Sequence, residues 1–230
     1  MSEQSGGGAG VSVLAVGAHP DDIELGCGGA LLRHVQRGDR VTILVMTDGG
    51  QALVEGMSRR VEQETAARIL GADLIWGGFD DCFVPEGPES ISVIDAALAS
   101  TGAEILYTHA PDDTHQDHRA TAAASLAAGR KLTTILPYET PSTRHFDPTV
   151  FVDVEATLDD KLVALRSHMS QVLRHGPVDL EVIEAQARFR GAQGRVGAAE
   201  GFEVARFGWD LSRSAAVAPA ASLEIVRSAG

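Results

Sequence analysis

The sequence VSVLAVGAHPDD, residues 11–22, gives the clearest indication of the fold. Its first eight residues form a continuous apolar run that stops at Pro20, which is typical of a strand buried on both faces. The run VTILVMT (41–47) repeats this pattern. Between the two runs, GGALLRHVQRGD (28–39) has apolar residues at helical spacing and predicts a helix that is closed by a glycine.

The same alternation continues along the chain. Short apolar runs predict further strands at 73–77, 104–109, 133–139 and 150–154. Helical spacing predicts further helices at 58–72, 90–102, 115–131, 156–169 and about 179–193. A repeated β-α-β-α order predicts a Rossmann-like α/β fold, in which a mostly parallel sheet carries helices on both faces.

The length of 230 residues suits one well-buried α/β domain, and we expect that domain to span residues 10–211. Residues 1–9 are polar and rich in glycine, which predicts a disordered N-terminal tail. Residues 212–230 have low complexity and predict a C-terminal tail.

Composition excludes several classes of partner. The formal net charge of −13 argues against binding to nucleic acid and to anionic membranes, because both need Lys and Arg to neutralise their charge. The two cysteines, Cys27 and Cys82, are far apart in the sequence, so we expect no disulfide and a reducing cytoplasm. Neither a signal peptide nor an apolar run long enough to span a bilayer is expected.

Two clusters of histidine and aspartate lie where predicted strands meet predicted helices. Residues 19–22 read HPDD after the first strand, and residues 112–118 read DDTHQDH after the strand at 104–109. Ligands of open α/β sheets bind beyond the carboxyl ends of the strands. If the two strands are neighbours, the clusters converge on one cleft.

Histidine and aspartate together favour a divalent metal such as Zn²⁺, although the same ligands bind other transition metals. His19, Asp22 and His118 can supply the three protein ligands of a catalytic site and leave one position for water. Alone, the HPDD run could be a helix cap and the His-x-x-His run a capped surface helix. Their occurrence together at strand ends favours the metal site.

Three more residues of the clusters have candidate catalytic roles. Asp21 lies beside a candidate ligand and could accept a proton from the activated water. His115, one helical turn before His118, could hydrogen-bond the developing oxyanion or protonate the leaving amine. Asp117 could orient an imidazole and hold its proton. His109 ends its strand nearby and is the weaker candidate, because such residues are more often packed or hydrogen-bonded.

The run AHPDDIELGCGGAL resembles the signature of the PIG-L/LmbE-like deacetylases. The second signature of that family is similar to the run from His115 to His118, with Asp113 ahead of it. The resemblance extends from about Val13 to Gln171, where KLVALRSHMSQ ends. Two separate signatures at about this separation make the resemblance specific.

The resemblance implies zinc-dependent hydrolysis of the amide bond of an N-acetylated, glucosamine-containing small molecule or glycoconjugate. It implies the same ligands, Asp21 as the base, and His115, with Asp117 beside it, as the residue that stabilises the tetrahedral intermediate. It also implies an arginine at the start of the helix 58–72, which is Arg59 by counting, although Arg60 is adjacent. A homo-oligomer is compatible with the resemblance, and the sequence leaves the oligomeric state open.

Other functions compete with this interpretation. The glycine cluster at 26–29 superficially resembles a methyltransferase loop, but such a loop should follow the first strand directly. An amidase of larger conjugates and a non-catalytic sugar-binding relative remain alternatives. The loops at 77–90 and 139–148 are rich in Pro, Gly and charge, and we expect them to form the pocket rim that selects the substrate.

Overall fold

The computed structural model describes residues 10–52, 54–172 and 178–208, so the predicted tails at 1–9 and 212–230 lie outside the described residues. The strands are β1 (Ser12–Gly17), β2 (Arg40–Thr47), β3 (Asp73–Phe79), β4 (Ile105–His109), β5 (Thr134–Tyr138), β6 (Val150–Asp153), β7 (Ala199–Phe202) and β8 (Arg206–Phe207). The helices are α1 (Asp22–Gln36), α2 (Arg59–Leu70), α3 (Pro88–Thr101), α4 (Gln116–Ala128), α5 (Leu158–Arg166), α6 (Met169–Val172) and α7 (Leu180–Gly194).

The predicted sheet is confirmed and has the order β3-β2-β1-β4-β5-β7-β6. Strands β1 to β5 pair in parallel, while β7 and β8 each pair antiparallel to β5. Strands β7 and β8 were not predicted, because they have four and two residues and no long apolar run. The strand order reverses between β1 and β4, and open α/β sheets bind ligands at this kind of switch point.

Helices cover both faces of the sheet, as predicted. Val13 and Ala15 of β1 face α1 and α2, whereas Leu14 and Val16 face α3 and α4. Every residue of β1 is buried, which explains why its sequence is a continuous apolar run. A third apolar cluster joins α1 to α5 and α7. Within the described residues, no helix has the length and apolar character needed to cross a membrane.

The predicted start of the first helix is wrong. Helix α1 begins at Asp22, six residues before the predicted start, so the glycine cluster lies inside the helix. A Cβ atom on Gly26 would lie 2.0 Å from the ring of Tyr138, and one on Gly29 would lie 2.8 Å from Val154. These glycines therefore let α1 pack closely against its neighbours, and packing outweighs their low helix propensity. The early start brings Asp22 onto the first turn of the helix.

Candidate active site

Helices α1 and α4 begin beyond the carboxyl ends of β1 and β4, on opposite faces of the sheet. The two strands are direct parallel neighbours, with Val13 opposite Ile105, so the predicted convergence of the two clusters is confirmed. A cavity of about 420 Å³ opens there. Six of the seven predicted site residues line it: His19, Asp21, Asp22, Arg59, His115 and His118.

The imidazoles of His19, His109 and His118 lie against the carboxylate of Asp22. Nδ1 of His19 lies 3.3 Å from Oδ2 of Asp22, and Nε2 of His118 lies 3.4 Å from Oδ1. Two ligand atoms on one tetrahedral zinc, each at about 2.0–2.1 Å from the metal, stand about 3.3 Å apart. The imidazoles of His19 and His118 therefore each lie at a ligand-to-ligand distance from Asp22, but each faces a different carboxylate oxygen. Three groups of the described residues bring all their donor atoms within 4.8 Å of one another: Asp22, His109 and His118; His19, His115 and His118; and His19, Asp81 and Asp117. Each group contains one or two of the three predicted ligands, and none contains all three.

Carboxylates hold the other nitrogen of each imidazole. Nε2 of His19 lies 3.1 Å from Asp117 and 3.1 Å from Asp81, and Nδ1 of His118 lies 3.2 Å from Asp113. Histidines that ligate metals commonly donate their second N–H to a carboxylate, which fixes the tautomer and the ring orientation. Each ring then directs its remaining nitrogen towards Asp22.

Backbone amides fix those carboxylates in turn. Asp117 accepts hydrogen bonds from the N–H groups of Cys82 (2.8 Å) and Val84 (3.2 Å). Asp81 accepts from Gln51 N–H at 2.8 Å. Asp117, a predicted catalytic residue, is fully buried behind His19 and does not line the cavity. From this position Asp117 can orient the imidazole of His19.

His115 caps helix α4 with its own side chain. Its Nδ1 accepts the N–H of Asp117 at 3.2 Å, so the neutral ring carries its proton on Nε2. The ring stacks on His118, with centroids 4.7 Å apart, and meets His19 edge-on at 4.6 Å. Burial lowers the pKa of His115, and the His19 and His118 rings add to this effect. Its Nε2–H is therefore suited to donate a hydrogen bond inside the cavity.

Asp21 occupies a backbone conformation that non-glycine residues rarely adopt. Its φ is 96° and its ψ is −27°, and such strain costs on the order of 1–3 kcal/mol. Arg59 contacts its side chain, with Nη2 3.2 Å from Oδ2. Burial raises the pKa of Asp21 to about 6, and the Arg59 guanidinium opposes that rise.

The structure distinguishes the two adjacent arginines. Arg59 is buried and donates to Asp21 and to the carbonyl oxygen of Pro20. The guanidinium of Arg60 instead lies 4.2 Å from the ring centre of Trp76, outside the cavity. Arg59 is therefore the arginine of the site.

The electrostatics of the cluster are dominated by carboxylates. Burial by itself lowers the pKa of His19, but Asp117, Asp22 and Asp81 raise it to about 12. Burial likewise lowers the pKa of His118, but Asp22 and Asp113 raise it to about 9. The carboxylates of this cluster therefore favour positive charge on the two imidazoles between them.

Comparison with known sequences decides the family. The family model described as PIG-L, GlcNAc-PI de-N-acetylase, matches residues 14–129, about half of the chain. The chain belongs to the PIG-L family. The match contains both clusters and helix α2, so the cavity is built largely from the PIG-L region.

Relatives of this PIG-L chain include proteins named as deacetylases. It is 40% identical over 167 residues to the uncharacterized deacetylase YaiS of Escherichia coli strain K12, covering 69% of this chain and 90% of YaiS. It is 27% identical over 185 residues to diacetylchitobiose deacetylase of Thermococcus kodakarensis, covering 69% of each chain. The crystal structure of the conserved protein TT1542 of Thermus thermophilus superposes with a TM-score of 0.79 at 28% identity, covering 90% of this chain and 100% of TT1542.

Sequence reasoning missed several residues of this PIG-L site. Asp81 lies in the loop that was expected to form the rim, but nothing in the sequence distinguishes it from Asp80. Ser142, 3.2 Å from Nδ1 of His118, comes from the second predicted rim loop. Both loops do line the cavity. His109, the weaker candidate of the sequence analysis, is fully buried and does not line the cavity. Its Nε2 accepts the Ala18 N–H at 3.1 Å and lies 3.2 Å from Oδ2 of Asp22.

Proposed function

We propose that this PIG-L protein is a zinc-dependent hydrolase that removes an acetyl or other acyl group from the nitrogen of a small substrate containing an amino sugar. The proposal depends on one observation. His19 and His118 each direct one nitrogen towards Asp22, while a buried carboxylate holds the other nitrogen. This is the arrangement by which proteins hold a catalytic metal.

The donor set fits zinc. Two imidazoles and one carboxylate are ligands that Zn²⁺ accepts, and a catalytic zinc leaves a fourth position open to the cavity. We propose His19, Asp22 and His118 as its ligands. When bound, the ion would polarise the amide carbonyl and lower the pKa of water at the site.

The chain's own residues then move the proton and stabilise charge. Asp21 lines the cavity beside the ligands, where its carboxylate can take a proton from the attacking water and return it to the leaving nitrogen. Arg59 holds the Asp21 carboxylate in place. The Nε2–H of His115 can donate to the carbonyl oxygen as negative charge develops there. Asp117 acts indirectly, by holding His19.

The cavity favours a small polar substrate. Its volume of about 420 Å³ is at the low end of the roughly 300–1,000 Å³ of ligand pockets. Gln51, Ser142 and Gln171 add side chains that can hydrogen-bond sugar hydroxyls. The Thermococcus relative is named for diacetylchitobiose, so N-acetylated amino sugars are the first substrates to test.

The decisive experiment measures metal content before activity. Protein purified without chelator should contain about one zinc per chain by elemental analysis. It should then release free amine from N-acetylglucosamine or N,N′-diacetylchitobiose, lose this activity with a chelator, and regain it with added zinc. Failure to bind zinc even after reconstitution would eliminate the hydrolase mechanism and leave a sugar-binding protein as the better account.

A variant of the base separates catalysis from binding. Asp21→Ala should keep its zinc and lose at least about 100-fold in amine release, because general-base catalysis contributes roughly 10²–10⁴-fold. Asp80→Asn, an exposed change at the same end of the sheet, is the control and should keep full activity. Unchanged turnover in Asp21→Ala would remove Asp21 from the mechanism.

A further inference from the structure

The peptide unit between Pro20 and Asp21 is held at both ends by helix α2. Its carbonyl oxygen, on Pro20, accepts from Nη2 of Arg59. Its N–H, on Asp21, donates to Oε1 of Gln63 at 3.1 Å. Arg59 and Gln63 are four residues apart and so lie on the same face of the helix. The two side chains therefore fix the plane of the peptide that precedes Asp21.

The orientation of that peptide plane sets the φ angle of Asp21. A φ of 96° lies in the left-handed region that L side chains rarely adopt. Such conformations persist where the surrounding structure enforces them, and they cluster at functional sites. Here the two hydrogen bonds from α2 supply the constraint, and the direction of the Asp21 carboxylate depends on it.

Asp21 and Glu24 together decide which way the Gln63 amide faces. The Nε2 of Gln63 donates to Oε1 of Glu24 at 2.7 Å. Because the N–H of Asp21 can only donate, the amide oxygen of Gln63 must face Asp21, and its NH2 group then faces the carboxylate oxygen of Glu24. Gln63 and Glu24 are both fully buried, so water does not compete for either group.

His168 holds the far side of Glu24. It follows α5, is fully buried, and has its Nε2 3.6 Å from Oε2 of Glu24. Within the described part of the chain, neither that carboxylate oxygen nor either ring nitrogen of His168 has a hydrogen-bond partner. His168 therefore packs against Glu24 on the side away from the Gln63 amide.

We propose that Gln63, oriented by Glu24 and His168, is a positioning residue that holds Asp21 in the conformation required for proton transfer. The proposal rests on the proposed role of Asp21 as the base. Gln63 lies outside the cavity lining and acts only through the peptide of Asp21.

Exchange of the hydrogen-bonding pair tests the proposal. Gln63→Met removes the acceptor and should lower kcat by about 10- to 100-fold, with KM and zinc content close to wild type, since small misplacements of a catalytic group have effects of this size. Gln63→Glu keeps an acceptor for the Asp21 N–H but places a second carboxyl group beside Glu24 in place of the NH2 donor, so kcat should also fall. The double variant Glu24→Gln with Gln63→Glu restores one donor and one acceptor, and should recover most of the kcat.

The control is Gln186→Met, a matched change of a half-buried glutamine on α7. It should leave kcat unchanged. A zinc-loaded, folded Gln63→Met with wild-type kcat would overturn the proposal. So would a double variant no better than Gln63→Glu, because the amide orientation would then be irrelevant.

A second measurement does not require activity. If α2 enforces the left-handed conformation, Asp21→Gly should unfold at a higher midpoint than Asp21→Ala, because glycine tolerates positive φ. The difference in unfolding midpoint between these two variants should become smaller when each also carries Gln63→Met. An equal difference in midpoint with and without Gln63→Met would overturn the proposal. This result can be obtained even if the wild type releases no amine, so failure of this proposal is distinguishable from failure of the proposed function.

Discussion

Two buried charged clusters lie along helix α1, and they differ in charge balance. At its N-terminal end, five buried aspartates surround the histidines, and Arg59 lies against Asp21. Midway along the helix, one lysine meets one glutamate, with Nζ of Lys161 2.6 Å from Oε1 of Glu200. Both residues of this pair are buried, as the aspartates are.

The midhelix pair of Lys161 and Glu200 has a partner for each of its charges. Glu200 accepts from the backbone N–H groups of Gly29 (2.8 Å) and Ala30 (2.7 Å), and Lys161 donates to the carbonyl oxygen of Leu25 at 2.8 Å. Its charges and hydrogen bonds balance, which indicates a structural role. The aspartate cluster instead has an excess of negative charge, which raises the pKa of its imidazoles and suits a bound cation. Charge balance, not burial, distinguishes the aspartate cluster from the midhelix pair.

The largest expected effect tests the structural pair. Lys161→Met should lower the free energy of unfolding by about 3–5 kcal/mol, because it leaves Glu200 buried without its countercharge. Denaturant unfolding would measure the loss. Lys131→Met, at an exposed lysine, is the control and should change stability by no more than about 0.5 kcal/mol. Equal stability of the two variants would contradict a structural role for the pair.

The next effect concerns the carboxylates behind the candidate ligands. Asp81→Asn removes a charge 3.1 Å from Nε2 of His19 and should weaken zinc binding by about 10- to 100-fold, as loss of such outer partners does. Competition with a chromophoric chelator would measure the dissociation constant. The neighbouring Asp80→Asn should bind zinc like wild type. An equal affinity in both variants would show that Asp117 alone fixes His19.

The smallest effect separates the adjacent arginines. Arg60→Ala should lower the free energy of unfolding by about 0.5–1 kcal/mol, the size of an exposed cation–π contact, and leave amine release unchanged. Arg59→Ala should reduce amine release, because Asp21 loses its guanidinium partner. If amine release instead fell in Arg60→Ala and not in Arg59→Ala, the assignment of the site arginine would be reversed.

Much of the fold could be predicted because strands buried on both faces have unbroken apolar sequences. The five parallel strands and their helices follow from that pattern, and parallel connections place both clusters at one edge of the sheet. Strands β7 and β8 were not predicted, because short antiparallel strands at the end of a sheet carry little pattern. The predicted start of α1 was wrong because close packing, not helix propensity, places glycines in that helix.

The sequence alone determined which residue types meet at the switch point, because HPDD and HQDH follow strands that the β-α-β order makes parallel. Tertiary structure alone decided how each group is held. Asp81, Gln63 and Glu24 come from loops and helices distant in sequence from the groups that they contact, and no local periodicity encodes such contacts. The same holds for the choice of Arg59 over Arg60, which depends on the face that α2 turns towards Asp21.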